Sequence, residues 1–316
     1  MLTISLHAAA KYGRFILVLG LFGGVLLPDL AQAMKPWLPE LVAVLLFLAA
    51  VRIGLRQVLG SLADLKASLL LVVVFQIAMP LLMFALARAV GLGEVLTTAI
   101  VLMAAAAPLL GASNLTILTG NDPAPALRLL AIGLALLPLT IIPTLLILPA
   151  IGSIDVIATA SVRLFGLVAG VAGLGFAVRH YFFRNLSTSG VQVLDGMSAI
   201  AMAIVVIGLM AAIGPALQND PAVVLRTFAL AVVCNFGLQL VMYVLAGSAG
   251  SDVNRVAYAI VAGNRNMAFF LAALPASVMD PLFLFIGCYQ IPMYLTPLVL
   301  GRLYRRSQIS DSQRQN

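Results

Sequence analysis

The sequence predicts an all-α polytopic membrane protein of about ten transmembrane helices in a single domain. Of the 316 residues, 63% are apolar and only 9% are charged, whereas soluble domains carry roughly 25% charged residues. Mean hydropathy is +1.13, and apolar runs recur along the whole chain at about the 20-residue length that a helix needs to cross a bilayer. So little charge cannot cover a water-facing surface. The lipid bilayer is therefore the first partner that we expect.

Ten spans follow from the apolar runs and from the short connections between them. Several connections contain the Pro, Gly, Asn or Asp typical of turns, as in Gly120-Asn121-Asp122-Pro123 and Asn219-Asp220-Pro221. The predicted spans cover residues 14–33, 37–57, 67–88, 95–118, 124–149, 158–180, 192–216, 222–247, 254–275 and 280–301.

The first span has an alternative interpretation. Lys11 and Arg14 precede an apolar run that ends in Ala31-Gln32-Ala33, and this order of features also resembles a secretory signal with its cleavage site. We favour a first transmembrane helix, because removing the segment would leave nine spans and destroy the internal repeat described below.

Orientation is predicted from Lys and Arg, which are enriched in cytoplasmic loops. With the N-terminus inside, both termini are cytoplasmic, including a short polar tail over 305–316, and the protein lies in the plasma (inner) membrane. Lys35, Arg88, Arg163 and Arg226 fall outside, and Arg265 lies within a span. The other thirteen of the 18 basic residues lie at cytoplasmic ends: Lys11, Arg14, Arg52, Arg56, Lys66, Arg128, Arg179, Arg184, Arg255, Arg302, Arg305, Arg306 and Arg314.

An internal repeat is indicated by three pairs of similar segments that keep their order. Gly20-Leu21-Phe22-Gly23-Gly24-Val25 matches Gly166-Leu167-Val168-Ala169-Gly170-Val171, VVFQIAMPLLMFALA from Val73 matches VVCNFGLQLVMYVLA from Val232, and Gly111 matches Gly263. We therefore predict a first repeat over about 12–150 and a second over about 156–304. Five spans end on the side opposite to their start, so the second repeat must be inverted, and transporters often hold their substrate at such a repeat interface.

Polar residues at mid-span are candidate functional groups, because a polar group in hydrocarbon costs free energy unless it finds a partner. Helices 4 and 9 each contain a glycine, Gly111 or Gly263, followed by short polar residues, which predicts broken helices that cross at the repeat interface. Broken helices are tolerated where the freed backbone faces protein or a wet cavity, and their free N–H groups and positive dipole ends suit an anion. The alternative for any one residue is hydrogen-bonding between helices. The candidate substrate- or ion-binding residues are Gln76, Ser113, Asn114, Asn235, Asn264, Arg265 and Asn266.

These residues resemble those of the bile acid:sodium symporter family. The resemblance is carried by Phe75-Gln76-Ile77-Ala78-Met79-Pro80, by the stretch from Ala107-Pro108 to Ser113-Asn114, and by Gly263 with Asn266, and it covers nearly the whole chain. It implies ten helices in two inverted five-helix repeats with helices 4 and 9 broken and crossed. It also implies a bundle of spans 1, 2, 6 and 7 that moves against a core of the other six. The implied function is secondary active transport of a small organic anion.

The chain departs from the family where the family binds sodium. The resemblance implies a Glu-x-Gly-x-Gln-Asn pattern in span 9, where this chain has Val261 in place of Glu and Arg265 in place of Gln. The Ser and Thr ligands that the family supplies from span 5 correspond to mainly Leu, Ala and Gly between Leu129 and Leu137. We therefore expect sodium-independent transport, with Arg265 as a fixed cation that completes the site or binds a substrate carboxylate. Sodium coupling through a remodelled site is the alternative.

Other classes of function receive less support from the sequence. The net charge of +7 is carried by basic residues that stand singly at the ends of apolar runs, so we expect no nucleic-acid partner. No paired catalytic constellation, phosphate-binding loop or metal-ligand cluster is present in the sequence, so we expect neither an enzyme nor a bound cofactor. A membrane sensor that binds a metabolite without moving it remains the second hypothesis. The sequence does not determine the oligomeric state.

Overall fold

The structure is a computed structural model, and it describes residues 2–54, 65–184, 186–250 and 254–305. The predictions for Arg56, Arg306, Arg314 and the tail fall outside these residues. The α-helices are, in chain order, α1 (Leu2–Lys11), α2 (Gly13–Leu26), α3 (Pro28–Met34), α4 (Leu38–Ile53), α5 (Leu65–Val73), α6 (Met79–Ala89), α7 (Glu94–Ala105), α8 (Ala112–Leu118), α9 (Ala124–Ile147), α10 (Ile154–Gly166), α11 (Gly173–Phe182), α12 (Thr188–Leu209), α13 (Ile213–Asn219), α14 (Pro221–Ser248), α15 (Arg255–Gly263), α16 (Ala276–Met279) and α17 (Phe283–Val299).

Seven helices within the described ranges are long and apolar enough to cross a bilayer, or eight if the bent pair formed by α1 and α2 is one span. The chain is therefore an all-helical, multi-pass membrane protein. The count of ten stays a prediction, since the segments predicted over 14–33, 95–118 and 254–275 are not single long helices. The seven are Pro28–Ile53, Leu65–Ala89, Ala124–Ile147, Ile154–Phe182, Thr188–Asn219, Pro221–Ser248 and Ala276–Val299.

The predicted boundaries of the first two spans are wrong. Helix α2 ends at Leu26, and Pro28 begins α3, which continues through a 3₁₀ turn at Lys35–Trp37 into α4. Proline lacks an N–H and favours the first position of a new helix, which explains why the chain restarts there. The stretch that resembles a cleavage site contacts the rest of the protein at two residues. Ala31 is fully buried, and Gln32 Nε2 donates to the carbonyl oxygen of Ala211 at 2.9 Å.

Two short helices, α7 and α15, lie at the centre of the molecule. The nine residues from Thr97 to Ala105 in α7 are all buried, and so is nearly every residue from Val256 to Gly263 in α15. The long helices around them instead expose large aliphatic side chains, for example Val162 in α10 and Val233 in α14. A bilayer outside the protein favours this arrangement, in which the short central helices are buried over most of their length and the outer helices have apolar faces.

Proline residues lie inside two of the long helices. Pro138 and Pro143 are within α9, and Pro292 and Pro297 are within α17. Pro275, by contrast, precedes α16 as its N-cap residue. Pro138 and Pro292 are buried, so protein rather than lipid covers the backbone beside them.

Two ion pairs flank helix α4, one near each end. Lys35, just before α4, pairs with Asp280 at 2.9 Å, and its ammonium group lies 4.3 Å from the ring centroid of Phe283 in α17. At the other end, Arg52 binds both carboxylate oxygens of Asp195 in α12. The two ends of α4 are therefore tied to different helices.

Close packing of α2 on α12 can be tested at Gly24. A Cβ atom at Gly24 would lie 2.6 Å from the Cβ of Met210 and 2.8 Å from the carbonyl oxygen of Ile207. Overpacking of this kind costs about 1–3 kcal/mol, so we expect Gly24→Ala to lower the melting temperature in detergent. Gly173→Ala is the matched control, because no atom lies within 4 Å of its added Cβ and Ala is the better helix former by about 1 kcal/mol. Equal melting temperatures for the two variants would contradict this packing.

Candidate functional site

The segments predicted to be broken are interrupted. In the first, α7 ends at Ala105 and the chain is extended before α8 begins at Ala112. The residue before a proline is disfavoured in a helix, so Pro108 accounts for this break. The predicted position is partly wrong, because Ser113 and Asn114 lie inside the first turn of α8 rather than in the break.

The second interruption falls where it was predicted. Helix α15 ends at Gly263, residues 264–266 are non-helical, and a 3₁₀ helix follows over Met267–Ala272. Gly263 does not have a positive φ angle; it allows a close approach, since a Cβ there would lie 2.3 Å from the carbonyl oxygen of Asn235. The lack of a side chain at Gly263 therefore permits the close contact between α15 and α14.

The two interruptions contact each other through their backbones. Leu109 N–H donates to the carbonyl oxygen of Asn264 at 2.9 Å, and Asn266 N–H donates to that of Ala107 at 2.9 Å. Pro108 and Arg265 face each other as an isolated antiparallel bridge. Buried backbone groups must be paired, and here each break supplies the partners of the other.

Arg265 is buried at this crossing, with an exposed fraction of 1%. Its Nη2 donates to the carbonyl oxygens of Phe75 at 3.1 Å and Ala104 at 2.9 Å, and its Nη1 donates to that of Val261 at 3.4 Å. Its Nε is buried without a hydrogen-bond partner. Neither of the ion pairs found among the described residues involves Arg265.

Gln76 is buried beside the crossing in a π-helical turn, Val74–Ala78, between α5 and α6. Its Nε2 donates to the carbonyl oxygen of Gly133 at 2.9 Å, and its Oε1 accepts from the hydroxyl of Thr140 at 2.8 Å. Both partners belong to α9. This side chain therefore joins α9 to the turn that supplies a carbonyl oxygen to Arg265.

Asn235 and Asn264 meet in a second buried network. Asn235 Nδ2 donates to the carbonyl oxygen of Gly263 and, at 3.3 Å, to Oδ1 of Asn264. Gln239 Nε2 donates to Asn235 Oδ1 at 2.7 Å and to Thr296 Oγ1 at 3.0 Å. The Thr296 hydroxyl in turn donates to Asn264 Oδ1 at 3.2 Å. The polar groups of α14 and α17 are thus used to hold the end of α15.

The remaining predicted residues have different environments. Asn266 accepts from the N–H of Ala268 at 3.2 Å and caps the 3₁₀ helix. Ser113 is half-buried and Asn114 is exposed, and neither side chain has a hydrogen-bond partner among the described residues. Of the predicted set, these two have side chains free to meet a ligand.

Sequence reasoning missed the hydroxyl partners of the two networks. Thr140 and Thr296 were not singled out, nor were Tyr289, which donates to the carbonyl oxygen of Gly263, and Tyr304, which donates to Gln239 at 3.1 Å. A signal for the two threonines was present: each follows a leucine and is flanked by prolines within a long apolar helix. Nothing comparable marks the tyrosines.

The hydrogen bond between Thr140 and Gln76 can be tested by a nearly isosteric change. Thr140→Val leaves Gln76 Oε1 without a donor in the protein interior, and we expect a loss of about 1 kcal/mol in stability. Thr144→Val, one turn later in α9, is the matched control, because the buried Thr144 hydroxyl has no hydrogen-bond partner among the residues that the structure describes. We expect it to leave the melting temperature unchanged or raised. A control variant that is destabilised as much as Thr140→Val would contradict the assignment.

Neither a scan against protein-family models nor a search of curated proteins finds a match to this chain.

Proposed function

We propose that this protein is a secondary active transporter of a small organic anion, built from two inverted five-helix repeats with the architecture that the bile acid:sodium symporter resemblance implies. Ten crossings with both termini in the cytoplasm belong to this proposal. The three crossings that are not long helices are then the N-terminal segment and the two interrupted segments through α7 and α15.

The observation that carries the proposal is the pairing of two interrupted helices at the centre of the protein. A non-helical backbone at membrane depth is tolerated only where protein or a wet cavity covers it. Two such breaks bound to each other, at Ala107–Leu109 and Asn264–Asn266, are typical of carriers, in which discontinuous helices bind substrate near mid-membrane. A helical sensor or scaffold has no need of this arrangement.

Contacts in the two halves support the inverted repeat. In the first half, an amide side chain of predicted span 3, Gln76, binds the hydroxyl of Thr140 in span 5. In the second half, an amide of span 8, Gln239, binds the hydroxyl of Thr296 in span 10. The two threonines lie 156 residues apart, close to the 152 residues between Gly111 and Gly263. A contact between an amide side chain and a threonine hydroxyl therefore recurs in the second half, where it comes from Gln239 rather than from Asn235, the residue aligned with Gln76.

The two broken helices are covered unequally, which supports a structure closed at one end. The 3₁₀ helix after the second break is buried and packs against α4 and α10. At that end, Lys35 and Asp280 also pair across the two predicted bundles. The corresponding piece of the first break, α8, exposes Asn114, Ile117 and Leu118. Alternating access needs this difference, because only one side of the site is open at a time.

The open end presents neutral hydrogen-bonding groups for a substrate. Ser113 and Asn114 lie in the first turn of α8, and neither side chain has a hydrogen-bond partner within the part of the chain that the structure describes. Arg265, which lies in the second interruption, gives the centre of the molecule a positive charge. A small carboxylate fits these groups better than a cation, and an extended lipid-like acid would need more apolar surface than these two residues offer.

Sodium independence is also part of the proposal. Sodium would need oxygen ligands at the crossing, and three carbonyl oxygens there already bind the guanidinium of Arg265. Val261 supplies no side-chain oxygen. The substrate gradient or protons would then drive transport.

Substrate contact at Asn114 is testable by uptake in proteoliposomes with a panel of labelled small carboxylates. Asn114→Leu removes an exposed amide, so it should leave the melting temperature unchanged. It should lower uptake about tenfold or more if the amide hydrogen-bonds a charged substrate, because such bonds contribute about 1.5–3 kcal/mol. Ile117→Ala, an exposed change on the same helix, should leave uptake intact. Equal uptake by the native protein and Asn114→Leu would exclude this residue from the site.

Sodium coupling is tested separately, by uptake with sodium replaced by choline. We expect the native protein to transport equally well in both media, because a guanidinium group occupies the carbonyl oxygens. We expect Arg265→Gln to lose uptake in both. Strong stimulation of the native protein by sodium would reject sodium independence. Full activity of Arg265→Gln would reject the role of Arg265 as a fixed cation that transport requires.

A further inference from the structure

Three carbonyl oxygens converge on the guanidinium of Arg265, and each comes from a place where the helical hydrogen-bond pattern fails. The oxygens belong to Phe75, Ala104 and Val261, in three different segments of the chain. A buried carbonyl without a donor costs free energy. The reason why each carbonyl oxygen lacks a helical donor therefore indicates what Arg265 does.

The carbonyl of Phe75 is left free by the π-helical turn together with Pro80. In an α-helix it would accept from the N–H of Met79, four residues on, but Met79 donates to Val74 instead. The next donor in a π-type pattern would be residue 80, which is proline and has no N–H. No amide of its own helix can therefore reach this oxygen in the usual way.

The carbonyl of Ala104 is left free by Pro108. Its α-helical donor would be the N–H of residue 108, which proline lacks. The carbonyl of Val261 lies in the last turn of α15, where helix carbonyls normally lack intrahelical partners. All three oxygens thus lie where helices end or are disturbed, and the partial negative charge of helix C-termini favours a cation there.

We propose that Arg265 is a positioning residue that acts as a covalently attached cation. Its guanidinium binds the three carbonyl oxygens and fixes the two breaks in the register in which Leu109 pairs with Asn264 and Asn266 pairs with Ala107. An ionic ligand is not needed for this register, because the cation belongs to the chain. The group is enclosed and does not contact substrate. The proposal concerns how the crossing is held and does not depend on transport.

The enclosed charge distinguishes this role from a substrate-binding arginine. A guanidinium that bound a substrate carboxylate would need an open path, whereas Arg265 is 1% exposed. The positive charge of Arg265 is balanced by the dipoles of the three carbonyl groups, because neither ion pair among the described residues includes this arginine. Planar N–H donors suit several carbonyl oxygens at once, which an ammonium group does less well.

The first test is chemical rescue, measured as thermal stability in detergent. Arg265→Ala should lower the melting temperature by about 5 °C or more and leave a cavity lined by the three carbonyl oxygens. Guanidinium chloride at low millimolar concentration should then restore part of the loss, whereas tetramethylammonium chloride, which has no N–H donors, should not. The native protein should respond to neither salt. Arg163→Ala is the control for direct effects of guanidinium, because Arg163 is exposed and its side chain makes no hydrogen bond or ion pair with the described residues.

If Arg265→Ala does not fold, a second comparison tests whether the cation stabilises the crossing. Arg265→Lys keeps a cation with three donors, and Arg265→Met keeps the bulk without charge. We expect the melting temperatures to rank native, then Lys, then Met, because Met leaves the carbonyl oxygens unpaired. A buried arginine that only costs desolvation free energy would give the opposite result, with Met the more stable.

Two results would overturn the proposal. One is an Arg265→Met variant as stable as Arg265→Lys. The other is a folded Arg265→Ala variant that loses no stability, or whose loss guanidinium reverses no better than tetramethylammonium. Transport is not measured in either comparison, so an unsuccessful uptake assay would leave this inference standing.

Discussion

Satisfaction of backbone hydrogen bonds inside the protein is the constraint on which the rest of this structure depends. Water is absent from the bilayer core, so every N–H and C=O there needs a protein partner. The breaks after Ala105 and after Gly263 remove several helical hydrogen bonds at once. The replacements come from the opposite break, from Arg265, and from Asn235 in α14 and Tyr289 in α17, which both donate to the carbonyl oxygen of Gly263. Arg265, Asn235 and Tyr289 therefore serve the backbone of the two breaks.

The same constraint explains why α7 and α15 lie at the centre. A broken helix on the lipid-facing side would expose unpaired carbonyls to hydrocarbon, whereas a surrounding layer of continuous helices can cover it. The outer helices accordingly carry exposed Val and Leu side chains, and the central two are short and enclosed. Two proline-containing helices, α9 and α17, supply the hydroxyl groups that reach inward.

Part of this arrangement could be predicted from the sequence and part could not. Composition and apolar runs identify the membrane class and most of the long helices, because these signals depend on local hydropathy. The break after Gly263 was placed correctly from its polar residues. The predicted position of the first break is too late in the chain. The prediction relied on Gly111 and the polar pair after it, whereas Pro108 is the residue that interrupts the helix. The first two spans were divided wrongly for a similar reason at Pro28. The partners of Arg265 could not be predicted, since they are backbone oxygens of Phe75 and Ala104, which depend on distant parts of the fold.

The hydrogen bond from Arg265 to Ala104 joins positions 161 residues apart, and this separation has a consequence for biogenesis. Synthesis proceeds from the N-terminus, so the first half is made long before the arginine that completes it. Until then, the carbonyl oxygens freed at Phe75 and Ala104 have no guanidinium to bind. The first half of the chain therefore cannot complete these hydrogen bonds by itself, and its packing at the centre of the protein depends on the second half.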